Sequence, residues 1–262
     1  MPAPSSAWDP DQYERFKAER AQPFYDLVSL VERDPGMRVI DLGCGTGQLT
    51  AWLHGELAAS ETLGIDAAET MLAQAAEHGG GGVRFERADI ASFEAEQPYD
   101  LVLSNAALQW VEDHESLVAR VAAAVAPGGQ LAVQVPANDD HPSHVIARAL
   151  ASSEFRDQLD GYERVFPILT PVRYAQLLFE LGFMRQQVRM QVYAHVLPDT
   201  RAVIEWVKGS LLTPFRERLS AEDYARFLER YEHELLTAEG DRQPYLYPFK
   251  RILMWGRRTA EG

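Results

Sequence analysis

Three carboxylates and three glycines, each placed at the end of an apolar run, carry most of the chemistry in this sequence. Asp41-Leu42-Gly43-Cys44-Gly45-Thr46-Gly47 follows a short apolar run and opens a helical pattern. That is the context in which a glycine loop lays backbone amides against a ligand. The dinucleotide fingerprint G-x-G-x-x-G requires glycine at position 48, which is Gln48 here. Asp41 would in addition repel a pyrophosphate. An acid ahead of the loop suits a ligand that carries positive charge. Asp66 lies 19 residues beyond Gly47 at the tip of a second apolar run, where a carboxylate accepts from both ribose hydroxyls. Asp89 follows a third run, where its side chain or the adjacent backbone accepts from an adenine amino group. Alone, Asp66 reads equally as a helix N-cap before Ala67-Ala68, and Asp89 as a turn cap. Together with Asp41 and the glycines they describe a site for a nucleoside with a cationic tail. S-adenosylmethionine (SAM), with its amino group, carboxylate and sulfonium, is such a molecule. Cys44, Ala67, Met71 and Ile90 flank these groups and complete the near side of the expected pocket.

Strands alternating with helices must hold these residues. Arg38-Val39-Ile40-Asp41-Leu42 reads as a strand, 46–58 as a helix, and Thr62 to Ile65 as a second strand ending at Asp66. A helix over 68–78, a strand from Val83 to Arg87 and a strand from Tyr99 to Ser104 follow. A helix over 113–126 is closed by Pro127-Gly128-Gly129 and leads to a fifth strand, Leu131 to Val135. This rhythm implies parallel pairing with right-handed crossovers. After Pro136 the rhythm changes. Residues 144–155 and 171–181 read as helices, 184–196 as a long strand, 199–237 as helix with breaks near Gly209 and Pro214, and 249–256 as a last strand. The expected fold is α/β: a Rossmann-like, doubly wound, mostly parallel seven-stranded sheet with helical cap insertions. It is expected as one domain over 1–262, with a helical N-terminal lid at 1–35, a cofactor-binding half at 36–136 and a substrate cap from 137–170 and 199–248.

Bulk composition narrows the partners. Hydrophobic residues make up 46% of the 262, ample for a core. No apolar run reaches the roughly 18 residues of a membrane helix, and the N-terminus lacks a signal-peptide pattern. Cys44 is the single cysteine, so disulfides and cysteine metal clusters are excluded and a cytoplasmic location is expected. The 25 basic residues stand against 39 acidic ones, a net charge of −14. Such a chain repels polyanions unless a local patch is basic. The expectation is a small-molecule substrate, no nucleic acid, no membrane, no metal, and a monomer.

The glycine loop resembles that of the class I SAM-dependent methyltransferases. The whole chain is similar to the trans-aconitate 2-methyltransferase family. The resemblance extends through Trp8-Asp9-Pro10 with Tyr13, Phe16 and Arg20, and through Asn105-Ala106-Ala107-Leu108-Gln109-Trp110 after the fourth strand. It continues through Leu131-Ala132-Val133-Gln134-Val135-Pro136, His144 and Glu205-Trp206-Val207. It implies methylation of one carboxylate of a small polycarboxylic acid, giving a monomethyl ester and S-adenosylhomocysteine. The family pattern places Gly-Leu-Arg-Pro after the Trp-Val helix. This chain reads Gly209-Ser210-Leu211-Leu212-Thr213-Pro214, with Thr213 in the arginine's place and Lys208 or Arg216 as candidates to compensate.

A carboxylate acceptor is already ionised at neutral pH, so no general base is required. The enzyme must align the reactants and exclude water. Arg20 is the first choice to grip the acid, because a guanidinium binds carboxylates through two donors. As a surface residue of the first helix it would instead be solvated. Trp8 and Tyr13 read as a lid over the ligand or as packing for that helix. Asn105 and Ala106 are placed against SAM, Gln109 against the acceptor, and Trp110 against both, with an ordinary core role as Trp110's alternative. His144 reads as a carboxylate donor or a helix cap, His141 as a surface residue, and Lys208 as a further cation for the substrate. Glu229 to Glu234 read as a solvated helix face. Another small-molecule carboxylate, such as a fatty or acyl one, or a hydroxyl is the alternative acceptor; a hydroxyl would need a base, for which His144 is the candidate. A NAD-dependent oxidoreductase is disfavoured by Gln48. A SAM-binding sensor without catalysis is the remaining alternative.

Overall fold

In the computed structural model, residues 17–260 are described, with side chains from residue 21 onward. The elements run α1 (Lys17–Val28), β1 (Arg38–Leu42), α2 (Gln48–Leu57), β2 (Glu61–Asp66), α3 (Glu69–Ala75), β3 (Val83–Arg87), β4 (Tyr99–Asn105) and α4 (His114–Ala123). They continue with β5 (Val125–Pro136), α5 (Pro142–Ser152), α6 (Pro171–Glu180), β6 (Arg185–Leu197), α7 (Ala202–Lys208), α8 (Thr213–Arg218), α9 (Ala221–Glu239) and β7 (Tyr245–Arg257). The seven strands form one sheet in the order β3-β2-β1-β4-β5-β7-β6. Pairing from β3 to β5 is parallel, and β7 runs antiparallel to β5. The order reverses beside β1, so the loops after β1 and β4 flank the point where open α/β sheets bind ligands.

The chain divides into two compact units. The sheet unit comprises Arg20–Pro136, Pro167–Gln191 and Arg251–Gly262, while the other draws on Ala137–Phe166 and Val192–Lys250. The boundaries fall inside β6 and β7. In the sheet unit, the near-continuous apolar runs of β1 and β4 are buried on both faces, as parallel strands covered by helices must be. Phe24, Leu27, Val39, Leu53, Leu101, Leu103 and Leu253 form one core there. The helical unit has its own core around Phe155, Trp206, Phe215, Phe227, Tyr231 and Tyr247. In α9, Phe227, Tyr231 and Leu235 recur every four residues and are buried, while Glu229 and His233 face solvent. Neighbouring Glu232 and Glu234 lie half-buried in ion pairs with Arg201 and Arg230.

Three boundaries differ from the sequence reading. The fifth strand starts at Val125, and Pro127-Gly128-Gly129 is an irregularity inside it rather than a helix stop. Between the pairs Tyr99↔Val125 and Leu101↔Gln130 the register slips, because β5 carries extra residues there. Gly128 takes φ +74, and a side chain at Gly129 would meet the carbonyls of Ala126 and Asp100 at 3.0 Å. Pro214 opens α8 instead of breaking a longer helix, since a missing N–H costs nothing in a first turn. The last strand begins at Tyr245, four residues earlier than the apolar run suggests. Among the described residues, no helix is long and apolar enough to cross a membrane.

Candidate active site

The glycine loop folds back over the end of β2. The amides of Gly43 and Cys44 both donate to the Ile65 carbonyl, at 2.8 and 2.9 Å. Gly43, Gly45 and Gly47 take φ of +83, +55 and +73, but they do so for different reasons. A Cβ at Gly43 would lie 2.2 Å from the Ala107 Cβ, and one at Gly47 would lie 2.6 Å from Phe85 Cζ. Those two glycines let neighbouring elements close on the loop. A Cβ at Gly45 would meet nothing within 4 Å. Gly45 therefore exposes bare backbone on the side where a ligand can lie against it.

The carboxylates bracket this loop. Asp66 accepts from the Gly45 amide at 3.0 Å through one oxygen and from the Ala68 amide at 2.9 Å through the other. Each oxygen keeps a lone pair, so the group can still accept from a diol. Asp41 is buried and accepts from the Thr50 hydroxyl at 2.6 Å. Burial, against the Thr50 hydrogen bond and with the Asp66 charge, pushes its pKa up to about 6. Asp89 caps the short 3-10 turn Ile90–Ser92, accepting from the Ala91 amide at 2.9 Å. The capping reading of its side chain is thus realised, which leaves the backbone beside it for an adenine contact. Cys44 is buried, and burial with the charges of Asp41 and Asp66 raises its thiol pKa well above the ordinary value. It packs and does not attack.

The loop after β4 supplies the other wall. Ala106 sits at φ +54, its amide donating to the Gln134 carbonyl at 2.9 Å. The Gln109 side-chain amide donates to the Ala106 carbonyl at 2.6 Å and pins the turn. Three amide atoms here are buried with no hydrogen-bond partner among the described residues: Asn105 Oδ1, Gln109 Oε1 and Gln134 Nε2. A buried polar atom left unmatched costs about 1–3 kcal/mol, which a ligand's donors or acceptors remove. Asn105 and Gln134 are register partners on adjacent strands. Trp110 is 54% exposed, which rules out the core reading of its ring. Met71 is buried beneath α3, while Ala67 is exposed and Ile90 half-buried. The bare Gly45 backbone, the paired acids and the unmatched amides fit SAM.

The helical unit holds a second set of polar groups. His141 caps α5, its Nδ1 accepting from the Ser143 amide at 3.1 Å. It is buried rather than on the surface, because the cap and the Tyr245 and Tyr247 rings enclose it. The Ser143 hydroxyl bridges the Nδ1 atoms of His141 and His144 at 2.9 and 3.0 Å. The Tyr231 hydroxyl donates to the Ser143 carbonyl at 2.9 Å. Burial, with the charges of Arg164, His141 and Arg148, depresses the His144 pKa to about 3. Lys208 is paired with Glu205 one helical turn away, and Thr213 donates to the Lys208 carbonyl at 3.2 Å.

Residues 39–129 match a family described as methyltransferase domain. The trans-aconitate 2-methyltransferase of Deinococcus radiodurans is 43% identical over 257 residues, covering 96% of this chain and 98% of that protein. The one from Variovorax paradoxus is 38% identical, covering 95% of each. The chain belongs to the trans-aconitate 2-methyltransferase family. A crystal structure of a SAM-dependent methyltransferase from Mesorhizobium loti superposes with a TM-score of 0.51 at 25% identity, covering 91% of this chain and 98% of that one.

In this methyltransferase the residues read as cofactor-binding share neighbouring strand tips. Asp41, Gly43, Cys44, Gly45, Gly47 and Asp66 gather at the tips of β1 and β2, with Asn105 and Ala106 at the tip of the neighbouring β4. The residues read as acceptor-binding divide between the units, Gln109 and Trp110 in the sheet unit, His144 and Lys208 in the helical unit. Arg20 falls within α1 by its backbone, and Trp8 and Tyr13 lie outside the described residues. Sequence reasoning missed Thr50, Gln134, Arg148 and Arg164. A threonine in the first turn after a glycine loop is a legible signal for the first. The others depend on strand register or on a loop path that carries no periodicity.

Proposed function

We propose that the protein transfers a methyl group from SAM to one carboxylate of trans-aconitate, forming a monomethyl ester. The observation that carries this reading is 43% identity with the Deinococcus radiodurans trans-aconitate 2-methyltransferase along nearly the whole of both chains. The geometry supports it. Asp41, Asp66 and the amides of the glycine loop are suited to hold a nucleoside whose tail is cationic, and the Asn105–Trp110 segment to wall the transfer site. Bound there, SAM supplies an electrophilic methyl on a sulfonium, which an ionised carboxylate displaces without a base, leaving S-adenosylhomocysteine.

The chain's own work is then binding, alignment and exclusion of water. We assign Gln109, Trp110, His144 and Arg20 to the acceptor, with Trp8 and Tyr13 as parts of an N-terminal lid. Lys208 is weaker in this role because its ammonium is engaged by Glu205. The helical unit we assign to acceptor recognition. The reading with a hydroxyl acceptor loses its base, since His144 at about 3 is too weak to take a proton from an alcohol.

The test is turnover of methyl-labelled SAM against trans-aconitate, cis-aconitate, citrate, isocitrate and several fatty acids, with products identified by mass spectrometry. The expected result is a monomethyl ester of trans-aconitate as the main product. Preferential labelling of a fatty acid would overturn the acceptor and leave the cofactor assignment standing.

A further inference from the structure

Many arginines of this acidic chain sit against carboxylates, among them Arg38 on Glu61, Arg173 on Glu115, Arg201 on Asp241 and Arg257 on Glu32. Arg148 in α5 is held differently. Its Nη2 donates to the Asp139 carbonyl at 2.8 Å, and its guanidinium lies 5.2 Å from the Phe166 ring centroid. Its Nη1 is buried with no hydrogen-bond partner among the described residues. Arg164 approaches the same ring at 5.1 Å, and its Nη1 donates to the Ser210 and Leu211 carbonyls at 3.0 and 2.8 Å. The His144 ring centroid lies 5.7 Å from Phe166.

Three basic side chains therefore gather round one phenylalanine, within the helical unit alone. Burial first, and then mutual repulsion, disfavours the charged forms of Arg164 and His144. Burial and the Arg148 charge draw the Arg164 pKa down to about 10, and the two arginines help to depress His144. Asp140, the acid that acts on His144, is itself held by Lys250. A buried guanidinium donor left unmatched beside a second arginine is arranged for an anion that brings its own acceptor. Fork-shaped donors beside an aromatic wall match a planar carboxylate better than a point-charge ligand.

We propose that Arg148, with Arg164 and His144, forms a carboxylate subsite around Phe166, within the helical unit, for a polycarboxylic acid. This rests on the polycarboxylate reading above and adds to it the cations that make a polycarboxylate preferable to a monocarboxylate.

The test titrates the full chain, saturated with S-adenosylhomocysteine, calorimetrically with trans-aconitate, tricarballylate, crotonate and inorganic phosphate. Wild type is expected to prefer the tricarboxylates over crotonate. Arg148→Met should weaken tricarboxylate binding by about tenfold or more, as loss of a charged hydrogen bond does, with crotonate and S-adenosylhomocysteine affinities unchanged. Arg148→Lys keeps the charge and most of the packing but not the fork, and should fall between them. Thermal unfolding shows whether each variant is folded. Unaltered tricarboxylate affinity in both variants, no tricarboxylate binding by wild type, or tighter Arg148-dependent binding of phosphate would each overturn the subsite. Methyl transfer separates the two ideas. Turnover of trans-aconitate with a wild-type KM in Arg148→Met retains the acceptor and discards the subsite. Arg148-dependent binding of trans-aconitate without turnover does the reverse.

Discussion

The two units of this molecule gather polar groups of opposite kind. In the sheet unit the groups at the strand tips are acids: Asp41 buried under the glycine loop, Asp66 bonded to two backbone amides, Asp89 capping a turn. In the helical unit the ionisable groups around Phe166 are bases, the half-buried Arg148 and Arg164 and the buried His144. A donor with a sulfonium and an amino group suits the first, a polyanionic acceptor the second. Net charge describes neither site. The overall −14 argues against polyanions as a class, yet two arginines beside one aromatic ring suffice for a small one. The two sites also differ in how they are built. The acids sit on strand ends, fixed by ladder hydrogen bonds, whereas Arg164 sits on an irregular segment after α5, held by carbonyls of the turn at 210–211.

The strongest way to break this comparison is at Asp66. Replacement by alanine removes the acceptor for the ribose and also releases the Gly45 and Ala68 amides that shape the loop. Loss of hydrogen bonds to a charged group amounts to about 1.5–3 kcal/mol each, so SAM affinity should fall by about 100-fold or more. Tricarboxylate binding should stay within about twofold, since Asp66 belongs to the sheet unit and the proposed carboxylate subsite to the helical unit. Calorimetry with each ligand reads both. Near-wild-type SAM affinity in Asp66→Ala would remove the acidic cradle from the cofactor site.

A paired substitution sharpens the contrast within the loop itself. Gly43→Ala places a methyl 2.2 Å from the Ala107 Cβ at φ +83. Neither atom belongs to a flexible side chain, so the loss of stability should be about 2 kcal/mol or more. Gly45→Ala meets open space at φ +55 and should cost about 1–2 kcal/mol through its left-handed backbone. It should nonetheless weaken SAM more per unit of stability lost, because its methyl projects into the open space assigned to the proposed ligand. Chemical denaturation and SAM titration of both variants test this. Equal ratios of affinity loss to stability loss would mean that Gly45 is structural like Gly43.

The difference in construction explains what the sequence disclosed. The loop Asp41–Gly47 and Asp66 are legible because a parallel strand has to end somewhere, and acids and glycines at those ends have few other uses. The five-strand rhythm follows from alternating apolar runs. Pro127-Gly128-Gly129 misled because the same residues that stop a helix also form a bulge, and only pairing with Tyr99 and Leu101 distinguishes the two. The cap of α5 misled in another way. His141-Pro142-Ser143 looks like an exposed turn, but tyrosines about 100 residues later on β7 bury it. Arg148 and Arg164 meet across a segment without periodicity, so no spacing marks them as a pair.

The smallest expected effect concerns pH, and it takes opposite signs in binding and in folding. Asp41 carries a folded-state pKa raised from 3.8 to about 6 by burial. The folded, ligand-free protein therefore holds a proton there that the unfolded chain has released between those values. Stability contributed by Asp41 is present below the unfolded value and is lost as pH rises through about 6. A bound cation favours the carboxylate, so SAM must expel that proton, and its affinity should weaken as pH falls below about 6, by up to tenfold per unit. Asp41→Asn should flatten the binding profile between pH 7 and pH 5 while lowering affinity at neutral pH. The helical unit supplies the internal control. His144, at about 3, does not titrate in this window, so Asp41→Asn should leave the pH profile of tricarboxylate binding as it is in wild type. Titrations of both ligands at pH 7 and pH 5 decide it. A SAM profile that keeps its slope in Asp41→Asn assigns the proton to another group and detaches Asp41 from the cationic ligand.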